Sequence, residues 1–268
     1  RDYTDDGYTT QTPQNASGLI DVVNEAGREE AMTFTNTRES GTLALSKALK
    51  GNATDGEKEF TFRVKLENAR FDTATQRDAY DVVIREANKA DMQTTVARDA
   101  NGEYVLTLKG GQTATLLDVL YGTTATVAED DYTAEGYEAV SGQTAAVNGQ
   151  TPDAAVAFTN ERYIGSIEIT KALAGTGSDK GYGKTFTFDV KLWNEHDLDL
   201  LNAQTSTMPS GVDGLTKTNE QRDGHDVYAG TVSITMGADG QTVSASITNI
   251  PAHTGYEIVE RDYTGDGY

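Results

Sequence analysis

The sequence contains no cysteine. That excludes disulfides and Cys-ligated metals, and it raises the question of what staples the fold if the protein is extracellular. Proline is rare at four residues, and there is one tryptophan. No run approaches the ~20 apolar residues that a membrane-spanning helix needs. Neither a signal peptide nor a hydrophobic sorting tail is present, so the chain reads as an excised portion of something longer if the protein is secreted. Basic residues are scarce, 22 against 42 acidic, for a net charge of -20. Such a chain lacks the clustered Lys and Arg that nucleic acid requires, and equally a polybasic anchor for anionic lipid. An acidic surface instead keeps crowded surface proteins soluble and self-repelling.

Catalytic signatures are missing too. There is no G-x-S-x-G, Walker or Rossmann glycine pattern. The three histidines, His196, His225 and His253, share no metal-ligand spacing. The acidic turns holding Asp2, Asp5 and Asp6, and Asp262 and Asp266, miss the spacing of a Ca²⁺ loop and read as plain turns. No metal, cofactor or enzymatic turnover is expected.

What is present is a repeat. Gly41-Thr-Leu-Ala-Leu-Ser-Lys47-Ala-Leu-Lys-Gly51 matches Gly165-Ser-Ile-Glu-Ile-Thr-Lys171-Ala-Leu-Ala-Gly175. Phe34-Thr-Asn36 matches Phe158-Thr-Asn160. Lys171 follows Lys47 by 124 residues, and Asn160 follows Asn36 by the same 124. Glu129-Asp-Asp-Tyr-Thr-Ala-Glu-Gly-Tyr137 matches Glu260-Arg-Asp-Tyr-Thr-Gly-Asp-Gly-Tyr268, and the chain opens on the same phrase. The expected organisation is residues 1–38 as the C-terminal part of a preceding module, residues 39–162 as a complete β-sandwich module, and residues 163–268 as a module lacking its last strand.

Short alternating runs separated by Gly-, Asp- and Asn-rich turns argue strands, and their spacing argues sandwiches. The Gly110-Gly111 pair reads as a hairpin turn. Residues 73–92 are the exception: Ala79, Val82, Val83 and Ala87 lie at roughly helical spacing, which predicts a short helix or an irregular insert on a sandwich edge.

Side chains alternate across a strand, so parity assigns faces. Leu43, Leu45, Lys47 and Leu49 share a face, as do Ile167, Ile169, Lys171 and Leu173. Val156, Phe158 and Asn160 share one, as do Met32, Phe34 and Asn36. Val127 falls on the same face as Glu129, and Tyr256 and Ile258 on that of Glu260. Parity therefore aims a Lys, a Glu and an Asn at the interior, where unpaired charges cost several kcal/mol. Burial lowers a lysine pKa and makes the amine nucleophilic. A buried Glu can stay protonated and polarise an amide. An Asn carboxamide between them can be attacked at Cγ with loss of ammonia, giving an isopeptide cross-link. The plain alternative is a buried ion pair capped by Asn. Recurrence on one face, with no cysteine available, favours the covalent reading.

These phrases, together with Glu59-Phe-Thr-Phe and Thr-Val-Ala-Glu129, carry a family resemblance. The chain resembles the Cna B-type and related pilin domains of Gram-positive surface proteins. The resemblance implies an all-β fold of tandem immunoglobulin-like sandwiches. It implies cross-linking residues Lys47 and Asn160 with Glu129 as catalyst in the complete module, Lys171 and Glu260 in the following one, and Asn36 in the preceding one. The expected function is a structural stalk or pilus-type repeat on a bacterial cell surface, attached to the wall through parts outside this chain. Its expected partners are neighbouring copies, with residues 1–38 meeting residues 163–268 head-to-tail, or adjoining repeats of a longer chain. The alternative is an adhesin module for a host glycan or protein, for which an exposed aromatic patch would be the sign.

Overall fold

The structure, a computed structural model, describes residues 8–10, 33–69, 77–175, 183–201, 212–237 and 242–268. The chain divides into two compact units. One comprises Arg1–Ala48, Gly56–Asp130 and Val140–Thr159; the other comprises Leu49–Asp55, Asp131–Ala139 and Asn160–Tyr268. Two short strands, β1 (Thr9–Thr10) and β2 (Asn36–Thr37), pair with each other.

The first sandwich is built from β3 (Ser40–Lys50), β4 (Phe60–Asn68), β5 (Ala79–Glu86), β6 (Met92–Ala97), β7 (Tyr104–Leu108), β8 (Gln112–Leu120), β9 (Thr123–Glu129), β10 (Gln143–Val147) and β11 (Asp153–Glu161). Its sheets have the orders β11-β3-β8-β5-β6 and β10-β9-β4-β7. The alternation read from the sequence is the alternation that buries the core. Along β4, Phe60, Phe62, Val64 and Leu66 are buried while Thr61, Arg63, Lys65 and Glu67 are not. Fully burying one such side chain contributes about 1.5–3 kcal/mol. Truncating Phe62 to Ala would cost about 3–5 kcal/mol through lost transfer and the cavity left behind.

β11 runs parallel to β3. The Thr42 N–H donates to Pro152 O at 2.8 Å, the Ser46 hydroxyl to Val156 O at 3.4 Å, and the Arg162 N–H to Lys50 O at 3.0 Å, so the two strands advance together. The approach is close at Gly41, where a Cβ would sit 1.9 Å from the Pro152 carbonyl oxygen.

Two expectations are corrected here. Residues 77–92 hold no helix; they form β5 and the start of the antiparallel β5–β6 hairpin, in which Tyr80, Val82 and Val83 are buried. The β-branched run Val82-Val83-Ile84 suits a pleated, half-buried surface, and sheet packing overrides the helical spacing. Residues 73–76 lie outside the described residues. Gly110-Gly111 is not a hairpin turn either: β7 pairs with β4 and β8 pairs with β3, so the glycines carry the chain from one sheet to the other.

The second set of strands is β12 (Ile164–Lys171), β13 (Thr185–Asn194), β14 (Asp213–Arg222), β15 (His225–Thr235), β16 (Val243–Pro251) and β17 (Thr254–Glu260). They form a β12-β16 pair and a β14-β15-β13-β17 sheet. The wiring repeats: β3–β8 corresponds to β12–β16, and β4 between β7 and β9 corresponds to β13 between β15 and β17. Even the irregularities recur. A register shift follows Gly41 and another follows Gly165, with left-handed Asp118 and Asn249 both at φ 58°. The repeats differ in the inserted segment, because β5 and β6 extend the β3 sheet whereas β14 extends the β13 sheet.

Candidate functional site

The inward positions of β3 are Leu43, Leu45 and Lys47, so the lysine enters the core on the same parity as the leucines and is only 2% exposed. On the facing sheet, β9 ends with Glu129, directly opposite Phe62 of β4. The Lys47 Nζ donates to Glu129 Oε1 at 2.6 Å, with the two side chains 0% and 1% exposed. The Phe60 ring lies against the amine, 3.8 Å from Nζ to the ring centroid. Burial pushes the Lys47 amine below the ordinary lysine value, outweighing the hydrogen bond and negative charge of Glu129.

Asn160 is buried on the inward parity of β11, after Ala154, Val156 and Phe158. Phe158 packs edge-on against Phe62 with ring centroids 5.2 Å apart. The parity assignment of all three polar residues to the interior therefore holds for this module.

In the other repeat, Lys171 Nζ donates to Glu260 Oε1 at the same 2.6 Å, and Phe186 takes the place of Phe60 at 4.3 Å. Here the side chains are 16% and 37% exposed. Four sequence-based assignments to a buried face fail: Tyr256, Glu260 and Phe34 are exposed, and Asn36 on β2 is exposed as well. The reason is what covers each strand. β10 pairs along β9 and β11 lies beside β3, whereas among the described residues no strand pairs with the outer edge of β17 or of β12. Met32 lies outside the described residues.

Sequence reasoning missed two features. One is the aromatic ring under each lysine, although the shared Phe-Thr-Phe strand already held the signal. The other is a pair of buried asparagines that brace the turns leading into β9 and β17. Asn68 donates to Tyr121 O at 3.1 Å and to Thr123 Oγ1 at 2.9 Å. Asn194 donates to Ala252 O and to Thr254 Oγ1, both at 2.8 Å. Their matching place, two residues after Leu66 and Leu192, was the readable sign. The acidic turns hold themselves together, with the Asp131 and Asp262 carboxylates each accepting a backbone N–H two residues on at 2.8 Å. Asp2, Asp5 and Asp6 lie outside the described residues.

Parts of this chain are similar to known proteins. Residues 41–162 and 165–268 each match the family described as Domain of unknown function (DUF7601). A curated protein named Pilin, from Streptococcus pyogenes serotype M1, is 30% identical over 114 residues, which is 41% of this chain and 32% of that protein's length. The matched stretch thus spans about a third of that relative, and it bears out the resemblance to Gram-positive pilins. Among solved structures, the major pilin of Streptococcus pyogenes is 24% identical with a TM-score of 0.39, covering 52% of this chain and 53% of that one. A structure titled as a pilus-presented adhesin is 26% identical with a TM-score of 0.33, covering 46% of this chain and 28% of that one.

Proposed function

The chain belongs to the DUF7601 family through both of its repeats, and from that premise we propose that it is a pilus-type structural segment whose modules are stapled by self-formed isopeptide bonds. The observation that carries this reading is the Lys47–Glu129 pair, 2.6 Å apart with neither side chain more than 1% exposed. Asn160 supports it, buried at 2% on a strand that neighbours the lysine's own. The module boundaries are residues 1–38, 39–162 and 163–268.

Each residue has a defined part. Burial favours the neutral Lys47 amine, and its lone pair attacks Cγ of Asn160. Glu129 polarises the carboxamide, accepts a proton from the attacking nitrogen and delivers it to the departing one. An N–Cγ bond forms, the bond to the amide nitrogen breaks, and ammonia leaves; nothing is oxidised or reduced. The reaction runs once, so it is maturation rather than turnover. The bond ties β3 to β11, and a pull on the chain passes between Lys47 and Asn160 without loading the rest of the sandwich.

By the same match, Lys171 and Glu260 await an Asn such as Asn36. Assembly then runs head-to-tail, residues 1–38 with residues 163–268 of a neighbouring copy or with an adjoining repeat of a longer chain. The place of action is the bacterial cell surface, with wall attachment through parts outside this chain.

Intact-mass measurement tests the proposal. The expected mass lies about 17 Da below that of the sequence, one ammonia lost at a Lys–Asn amide. A mass equal to that of the sequence overturns it. Exposed Tyr163 and Tyr256, at 43% and 58%, favour a second reading as an adhesin module. Binding to a glycan or matrix-protein array, lost on replacing these tyrosines, would establish that reading.

A further inference from the structure

The two repeats treat one internal edge differently. In the second, β14 pairs along the outer edge of β15. In the first, the strand in the same place, β6, turns away to pair with β5 and keeps a single bridge to β7, Arg98 with Tyr104. Among the described residues no strand pairs along the outer edge of β7. β7 reads Tyr-Val-Leu-Thr-Leu, without the charge or proline that guards an edge against pairing. All of this lies inside the first compact unit.

Where β6 and β7 part, a groove of about 590 Å³ opens between the two sheets. Val82, Ile84, Val96 and Leu106 line it, and Met92 stands at its side, 54% exposed. Its two charged residues are Glu59 and Lys109. Glu57 engages Lys109 at 2.7 Å, whereas Glu59 is exposed and makes no ion pair among the described residues. The uncompensated charge in the groove is therefore negative.

The second repeat indicates what such an edge takes. Phe62 pairs with Leu106 as Phe188 pairs with Val232, so Val105 matches Thr231, which pairs with Asp213. Beside that pair Val212 and Leu215 are buried, at 3% and 4%. We infer that the β7 edge and its groove accept an extended segment of another protein, added antiparallel to β7 as β14 is to β15. Apolar side chains at alternate positions enter the groove, and a basic side chain N-terminal to them meets Glu59. That end is fixed by register: Glu59 precedes Phe60, the partner of Leu108, so an antiparallel strand enters there with its N-terminal end. Main-chain pairing supplies affinity, and the alternating side chains supply specificity. A second copy fits less well, because Glu59 calls for a basic segment and this chain has 22 basic residues against 42 acidic. The surface is separate from the Lys47–Glu129 pair and from Tyr163 and Tyr256, so the inference stands apart from both readings above.

The test uses the full chain, and the probe is a random-peptide library displayed on phage. Peptides selected on the unaltered chain should share alternating apolar residues preceded by Lys or Arg. Made synthetically, they should bind in fluorescence anisotropy and slow amide exchange along β7. Thr94 is exposed in the groove on the same parity as Val96. Thr94→Trp should fill the groove and remove binding at an unchanged melting temperature. Glu59→Lys, on the exposed rim, should weaken binding of the same peptides and, when panned afresh, select acidic residues where basic ones stood. A library with no enriched sequences overturns the inference. So do selected peptides that bind Thr94→Trp as well as the unaltered chain, or that leave exchange along β7 unchanged. Self-association in sedimentation velocity that Thr94→Trp abolishes would make a second copy the occupant and overturn the assignment to another protein.

Discussion

Two lysine–glutamate pairs, Lys47–Glu129 and Lys171–Glu260, share one geometry at 2.6 Å and differ in their access to water. The first pair has side chains 0% and 1% exposed; the second has 16% and 37%. Distance is set locally, because the two strands that carry each pair belong to sheets wired alike. Burial is set by β10 and β11, which lie outside those strands. The proposed chemistry depends on burial rather than distance. Desolvation lowers the Lys47 pKa, while water screens the exposed pair.

The largest expected effect contrasts the lysines. Lys47→Ala removes the proposed cross-link and with it a closed loop of more than a hundred residues. By analogy with disulfide loops that loss is on the order of 4 kcal/mol, and trypsin should then cut the first sandwich. Lys171→Ala should cost roughly 0–1 kcal/mol, as for other exposed pairs. Comparable losses in calorimetry would erase the distinction between the two sites.

Glu129→Ala comes next. It should abolish the mass deficit and lower stability by about 3–5 kcal/mol by stranding a buried lysine. Glu260→Ala should leave the mass deficit of the monomer in place. A deficit that persists in Glu129→Ala would show that another group moves the proton.

The paired glycines give a smaller contrast. Gly41→Ala forces a Cβ against backbone at 1.9 Å, so β3 or β11 must shift, at a cost of about 1–3 kcal/mol. Gly165→Ala should be within about 0.5 kcal/mol of the parent chain. Urea denaturation of both variants checks this, and equal midpoints would contradict the packing described for β11.

The smallest effect is a pH dependence, visible only where the bond cannot form, in Asn160→Ala. Because the folded-state pKa of Lys47 is depressed from 10.5, the unfolded chain holds more protons across the interval between the two values. Stability should therefore rise with pH through that interval, and the burial cost should be fully present below it. Each unit of depression corresponds to about 1.4 kcal/mol. The same slope in Lys47→Met/Asn160→Ala would assign it to other groups.

Much of this was legible in the sequence. Period-two alternation placed Leu43, Leu45 and Lys47 on one face, because a strand offers a side chain only two directions. The repeat located both lysines and both asparagines at one constant offset, and the shared Asp-Tyr-Thr phrase located both glutamates. Periodicity failed over residues 77–92, where Val82 and Val83 are both buried and a short apolar run fits helix and strand equally.

Sequence by itself determined which residues face inward, since that is a property of each strand's own geometry. Only the tertiary structure decided whether facing inward means being buried. Lys47 and Lys171 have the same parity and the same carboxylate partner, but β11 covers the edge beside one, while no described strand covers the edge beside the other. Burial depends on a neighbour contributed from more than a hundred residues away, and no local pattern can report whether that neighbour is in place.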